Sequence, residues 1–240
     1  MKPTAKSGPA KAGPVHTPKR KRLSPEDRKR DFIQKATELF AAEGFAGGTR
    51  ELARKLGVTQ PLLYRYFPSK DDLIEEVYRA VFLDRWDPGW DALIGDRSLT
   101  MRKRLELFYR SYTDAIFSPE WLRIYLFAGL KGLDLNQRYI EFVEARVLKR
   151  IIEEYRHEAG LPPRPAPSPA EMELVWLLHG GIFYYGVRKH LYGLPVLEDQ
   201  QRAIANALDL FLEGVSGLLA SPAKPAIVAV HSESPRKQSA

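Results

Sequence analysis

Residues 49–70 read TRELARKLGVTQPLLYRYFPSK, and the spacing within them decides the fold. Leu52, Ala53 and Leu56 put small and apolar groups on one face of a short helix. Gly57 supplies a left-handed turn, and Val58, Leu63 and Phe67 give a second short helix its own buried side. Two short helices joined by a glycine turn form a helix-turn-helix, the motif whose second helix meets base edges in the major groove. Gln60, Pro61, Leu62, Tyr64, Arg65 and Tyr66 are left facing outward on that second helix.

The flanking sequence completes a small domain. Ser24-Pro25-Glu26-Asp27 is a helix start: Ser24 can cap, Pro25 fits the first helical position, and Asp27 can close a capping box. The helix it opens runs to about Glu43, with Phe32, Ile33, Ala36, Leu39 and Phe40 at helical spacing. Ser69-Lys70-Asp71-Asp72 is a second capping box, opening a fourth helix that carries Leu73, Ile74, Val77 and Val81.

Through the residues TR, LA, KLGV, QP and LY and the final lysine, this stretch resembles the TetR family of bacterial transcription regulators, with a helix-turn-helix like that of the tetracycline repressor. The resemblance covers Leu23 to Val81. One departure is the link Gly44-Phe45-Ala46-Gly47-Gly48, about one residue shorter than the family's usual connection between its first two helices.

At the start of the recognition helix stand Thr59, Gln60, Pro61 and Leu62. The Gln60 amide can pair bidentately with adenine or singly with other bases, and Pro61 and Leu62 can touch a thymine methyl. The resemblance implies a base contact for Arg50 as well, and phosphate contacts for Tyr64, Arg65, Tyr66 and Lys70; Lys70 also opens a helix, where backbone N–H groups favour an anion. The other reading for Tyr64 and Tyr66 is that they close the small domain's core.

The chain has 240 residues, 44% of them hydrophobic, enough for a substantial core. The absence of cysteine excludes disulfides, thiol catalysis and cysteine-type zinc sites, and fits a reducing cytoplasm. No apolar run reaches the roughly 18–20 residues that span a bilayer, so no membrane partner is expected. The five histidines have no zinc-like spacing, and HExxH, a Walker glycine loop and a Ser-His-Asp signature are all missing from the sequence, so neither catalysis, a metal nor a cofactor is expected.

The net charge of +7 is concentrated at one end. Residues 1–22 hold Lys2, Lys6, Lys11, Lys19, Arg20, Lys21 and Arg22 with no acid, and the remaining chain balances 30 basic residues against 30 acidic ones. With Pro3, Pro9, Pro14 and Pro18 and few apolar groups, 1–22 is expected to be a disordered basic arm, either tracking phosphate or merely solubilising. The segment 221–240, rich in Pro, Ser and Lys, is expected to be a second disordered tail.

Beyond the fourth helix the pattern remains helical. Residues 84–98, with Pro88, Gly89 and Gly95, read as a break that Trp86 and Trp90 pack down. Helices are expected at about 98–117, from Ser118 through Leu126, at 136–159, at 168–191 and at 198–219, with prolines 162, 163, 165 and 167 forming a loop. With no convincing period-two strand, the expected fold is all-α, about nine helices: a three-helix DNA-binding domain at 23–70 and a helical ligand-binding and dimerisation domain at 71–220.

One recognition helix reads few base pairs, so a homodimer on a palindromic double-stranded operator is expected. Gly180, Gly181 and Gly186 in the penultimate helix and Gly214 and Gly217 in the last would allow close approach, with Ile204, Leu208, Phe211, Val215 and Leu219 as the matching apolar stripe. Family members place an inducer cavity among the remaining helices, and Phe108, Tyr112, Trp121, Tyr125, Tyr139, Trp176, His179 and Phe183 are the candidates to line one for an apolar or aromatic small molecule. The expected function is a cytoplasmic transcriptional repressor released by such a ligand. The alternative is an architectural or adaptor DNA-binding protein of the same fold governed by a protein partner.

Overall fold

The computed structural model describes residues 24–219, so the basic arm at 1–22 and the tail at 221–240 lie outside the described residues. The described residues contain helices and no strand. The N-terminal unit comprises α1 (Pro25–Glu43), α2 (Thr49–Lys55) and α3 (Gln60–Tyr66), followed by α4 (Lys70–Tyr78). Phe32, Ala36 and Phe40 of α1 meet Leu52, Ala53, Leu56, Leu63 and Phe67 in one buried cluster, and α4 adds Leu73 and Val77. Gly57 sits at φ +69°, the left-handed conformation that lets the chain turn between α2 and α3.

The ends of these helices follow the local chemistry. The Ser24 hydroxyl accepts from Asp27 N and donates to the Asp27 carboxylate, with Pro25 inside the first turn. Ser69 and Asp72 form the reciprocal capping box, which starts α4 where the sequence places it. α4 does not stop at Tyr78 but widens into a π-helical turn, Arg79–Leu83, that buries Val81 and Phe82.

The C-terminal unit contains α5 (Gly89–Ile94), α6 (Met101–Ile116), α7 (Pro119–Leu130), α8 (Leu135–Val143), α9 (Lys149–Glu158), α10 (Pro169–His190) and α11 (Gln200–Leu219). α8 and α9 are one continuous helix through a π-helical turn at Glu144–Leu148, occupying the expected 136–159. α5 lies inside the expected break. It forms because Trp90 is buried, its indole N–H donating to Ser111 Oγ at 2.7 Å, and because Arg104 donates to the Ile94 carbonyl at 2.8 Å. Arg104, itself buried, also binds Glu154 at 2.9 Å and Glu158 at 3.1 Å, joining α5, α6 and α9 through paired charges.

The glycine and stripe expectations for dimerisation divide in two. Gly186 is buried within the subunit: a Cβ there would lie 2.5 Å from the Phe117 ring. Ile204 and Leu208 are likewise buried inside the subunit, where α11 packs on α6 and α10, while Phe211 and Val215, also largely buried, line an apolar groove between α10 and α11. Gly180, Gly181 and Gly214 have open space in front of them, and Gly217 and Leu219 lie outside the residues whose surroundings are described. Gly186→Ala is therefore expected to destabilise the monomer fold by about 1–3 kcal/mol through overpacking against Phe117. An unchanged urea midpoint would contradict that contact.

Candidate nucleic-acid interface and ligand cavity

α2 and α3 present a polar face beside the helix-turn-helix core. Arg50, Thr59, Pro61, Tyr64 and Arg65 are exposed, and Gln60 is half-buried. The Gln60 amide donates to Thr49 Oγ1 at 3.2 Å, and Thr49 Oγ1 lies 2.8 Å from the Tyr64 hydroxyl. This small polar chain joins the first residue of α2 to the first turn of α3, a contact that the sequence does not assign to Thr49.

Three of the outward candidates are placed differently by the structure. Leu62 is half-buried against the domain core rather than free. Tyr66 is also half-buried, its ring edge-on to Phe32 at 5.2 Å, so it helps to close the core. Lys70 is committed elsewhere: its ammonium donates to the carbonyls of Phe45 at 2.6 Å and Gly47 at 2.8 Å, and burial holds its pKa below the usual lysine range. It fastens the α1–α2 link from the start of α4, a contact across 25 residues that no local pattern signals.

The polar face of α2 and α3 is tied to the C-terminal helices through α1 and α4. α1 packs on α7 and on α4, and Lys29 pairs with Glu76 at 2.8 Å. Glu75 of α4 pairs with Arg138 of α8 at 3.0 Å, and the same guanidinium lies 4.4 Å over the Tyr78 ring. Phe82, in the π-helical turn after α4, is buried with its ring 4.9 Å from Trp121, 5.2 Å from Tyr139 and 6.3 Å from Tyr125.

Those three rings are walls of a cavity of about 80 Å³, closed by Tyr112 of α6, Ile140 and Val143 of α8, and Trp176, His179, Gly180 and Phe183 of α10. Seven of the eight sequence candidates thus surround one space. Phe108 is the exception. It is fully buried and stacked 5.2 Å behind Tyr112, because the stripe of α6 that carries both residues turns only Tyr112 inward to the cavity. Phe82 is the contact that the sequence did not assign, since helical spacing marks a residue as buried without naming its neighbours.

The cavity is uncharged at neutral pH. Tyr112 and Tyr139 share a 2.9 Å hydrogen bond between hydroxyls, and burial raises the pKa of both. His179 lies 3.4 Å through Nδ1 from the Tyr109 hydroxyl, and burial pushes its pKa down to about 4. The folded chain thus refuses a proton that the unfolded chain accepts below its ordinary value of 6.5. Stability is expected to fall by roughly 1–2 kcal/mol as pH drops from 7 to 5, before the carboxylates titrate. His190, also lowered by burial, acts in the same direction. Urea midpoints across that range check the slope, and His179→Phe should flatten it; an equally steep slope in the variant would locate the effect elsewhere.

Residues 32–77, the segment that holds the helix-turn-helix and α4, match the family model for "Bacterial regulatory proteins, tetR family". This segment is a TetR-family N-terminal domain. Among curated relatives, the chain is 29% identical over 123 residues to the HTH-type transcriptional repressor KstR2 of Mycolicibacterium smegmatis, across 51% of this chain and 58% of that one. It is 38% identical over 63 residues to the HTH-type transcriptional regulator LuxR of Vibrio harveyi, across 26% of this chain and 31% of that protein. The chain thus spans well under two thirds of the length of either relative. A TetR-like transcriptional regulator from Rhodococcus sp. RHA1 shares the fold with a TM-score of 0.59 at 18% identity, over 82% of this chain and all of that structure. Among the described residues no helix is long and apolar enough to cross a membrane, and no three His, Cys, Asp or Glu side chains gather as a metal-ligand set.

Proposed function

We propose that this chain is a TetR-family, homodimeric, sequence-reading regulator of transcription. In this reading, residues 23–70 bind double-stranded DNA and residues 71–220 dimerise and hold a small ligand. Arg50, Thr59, Gln60 and Pro61 meet bases, Tyr64 and Arg65 meet phosphates, and two copies read a palindrome from successive major grooves. It acts in the cytoplasm as a repressor, as the name of its relative KstR2 suggests, and an uncharged, largely aromatic ligand releases it.

The observation that carries this reading is the aromatic cavity whose walls touch Phe82, directly after α4. A ligand that spreads those walls acts on the helix that connects to the reading head, changing the separation of two heads in a dimer. The cavity also favours this reading over an architectural or adaptor protein answering to a protein partner, which needs none.

Selection of bound DNA from a random duplex pool tests it. The wild type is expected to enrich a palindrome, with affinity falling steeply as salt rises, and Gln60→Ala to lose preference at one position per half-site at a cost of about 1–3 kcal/mol. Salt-sensitive binding with no enriched sequence would instead favour the architectural reading.

A further inference from the structure

The amide at the tip of the recognition helix is held rather than free to turn. Gln60 is the first residue of α3 and Thr49 the first of α2, and the 3.2 Å bond from Gln60 Nε2 to Thr49 Oγ1 joins the two helix starts. Tyr64, one turn further along α3, braces the same hydroxyl at 2.8 Å. Thr49 is half-buried, Tyr64 is 41% exposed and Gln60 is half-buried, so the group lies at the surface that faces DNA if α3 is the recognition helix.

We propose that Thr49 is a positioning residue that fixes the Gln60 amide as a reader of adenine. The inference rests on the reading of α3 as the recognition helix and deepens it. A glutamine amide carries one carbonyl oxygen and two N–H groups. Giving one N–H to the neighbouring oxygens of Thr49 and Tyr64 leaves one acceptor and one donor. The adenine edge in the major groove offers the complement, an amino donor at N6 and an acceptor at N7. Guanine offers two acceptors, O6 and N7, and meets a partner with two donors only if Gln60 leaves Thr49. Cytosine offers a single amino donor and thymine an acceptor beside a methyl, so each satisfies only one of the two groups.

Tyr64 completes the arrangement. With Thr49 Oγ1 accepting from Gln60, the threonine's own proton is available to the Tyr64 oxygen, which leaves the phenolic O–H for a phosphate. The Tyr64 pKa is lowered, chiefly by its hydrogen bond to Thr49 and then by Gln60, as expected for an oxygen that accepts. One threonine therefore sets both a base contact and a phosphate contact.

The test is selection from a random duplex pool with full-length wild type, Thr49→Val, Thr49→Ser and Gln60→Ala, followed by titration of the enriched site with adenine or guanine at the Gln60-dependent position. The wild type is expected to require adenine there. Thr49→Val, close to threonine in shape, is expected to keep the palindrome and the salt slope while its adenine-over-guanine preference falls about tenfold. Thr49→Ser, which restores the hydroxyl, is expected to recover that preference. A Thr49→Val protein that loses affinity equally for both sites overturns the proposal and makes Thr49 a phosphate or packing contact. Guanine at the Gln60-dependent position of the wild type overturns it too. If the wild type enriches no site at all, the reading of α3 as a recognition helix fails along with it.

Discussion

Leu210→Asp combined with Leu177→Asp is expected to turn a dimer into a monomer and to weaken binding to a palindromic operator by at least about a hundredfold. Leu210 of α11 is 74% exposed and Leu177 of α10 is 72% exposed, which leaves apolar surface in water that burial against a partner would remove. They flank an apolar groove of about 320 Å³ with Leu174, Leu178, Gly181, Ala207, Phe211, Gly214 and Val215. Gly181 and Gly214 have nothing in front of them, which leaves room for a second pair of helices to approach closely. Burying both leucines in each of two subunits supplies about 1.5–3 kcal/mol per side chain, and an unpaired carboxylate in the same place reverses the sign. Because both positions are exposed in the subunit, the substitutions should leave its helix content and urea midpoint nearly unchanged. Sedimentation at micromolar concentration and operator titration read the two effects separately. A variant that remains dimeric would move the interface away from α10 and α11, and a monomeric wild type would remove the dimer altogether.

That groove illustrates what the sequence reveals and what it leaves hidden. Helix starts are local chemistry and were legible: Ser69 with Asp72 and Ser168 with Glu171 form capping boxes, and Pro119 and Pro169 stand inside first turns. The gathering of seven aromatic and histidine candidates around one cavity was legible too, because helical spacing and family likeness point to the same faces. A helix with two apolar faces is different. Periodicity along α11 singles out Ile204, Leu208, Phe211 and Val215, but Ile204 and Leu208 serve the subunit's own core, Phe211 and Val215 are shared between core and groove, and the exposed Leu210 of the groove falls outside the stripe. Gly186 and Gly181 look alike in sequence, yet one is filled by Phe117 and the other faces open space. Long-range partners are equally silent. Nothing near Lys70 announces that its ammonium is taken by the carbonyls of Phe45 and Gly47, and nothing near Thr49 announces Tyr64. α5 appears inside a glycine- and proline-marked break because Ser111 and Arg104, both from α6, satisfy groups that it would otherwise bury unpaired.

Phe82→Leu is expected to separate ligand binding from DNA release. The cavity of about 80 Å³ is well below the roughly 300–1,000 Å³ typical of small-molecule sites, so a ligand of more than one ring enters only by moving walls. Trp121 and Tyr139 are the walls in contact with Phe82, and Phe82 stacks in turn on Tyr78 at 5.3 Å, the last residue of α4. A close-packed aromatic chain of this kind transmits displacement because its members have little free volume into which to relax. Leucine keeps the site apolar but removes the ring that spans the gap, at a stability cost of about 1–2 kcal/mol. The wild type should show a coupling of about 1–3 kcal/mol, a five- to 150-fold weakening of operator binding by saturating ligand. In the variant that ratio should fall below about threefold while ligand affinity stays the same or rises, since the walls no longer push against α4. Linkage supplies an internal check: operator DNA must weaken ligand binding by the same factor in each protein. Full coupling in Phe82→Leu would assign the transmission to the other route from the cavity wall, through Arg138 beside Tyr139 to Glu75 of α4, and Arg138→Gln would then be the variant that loses it.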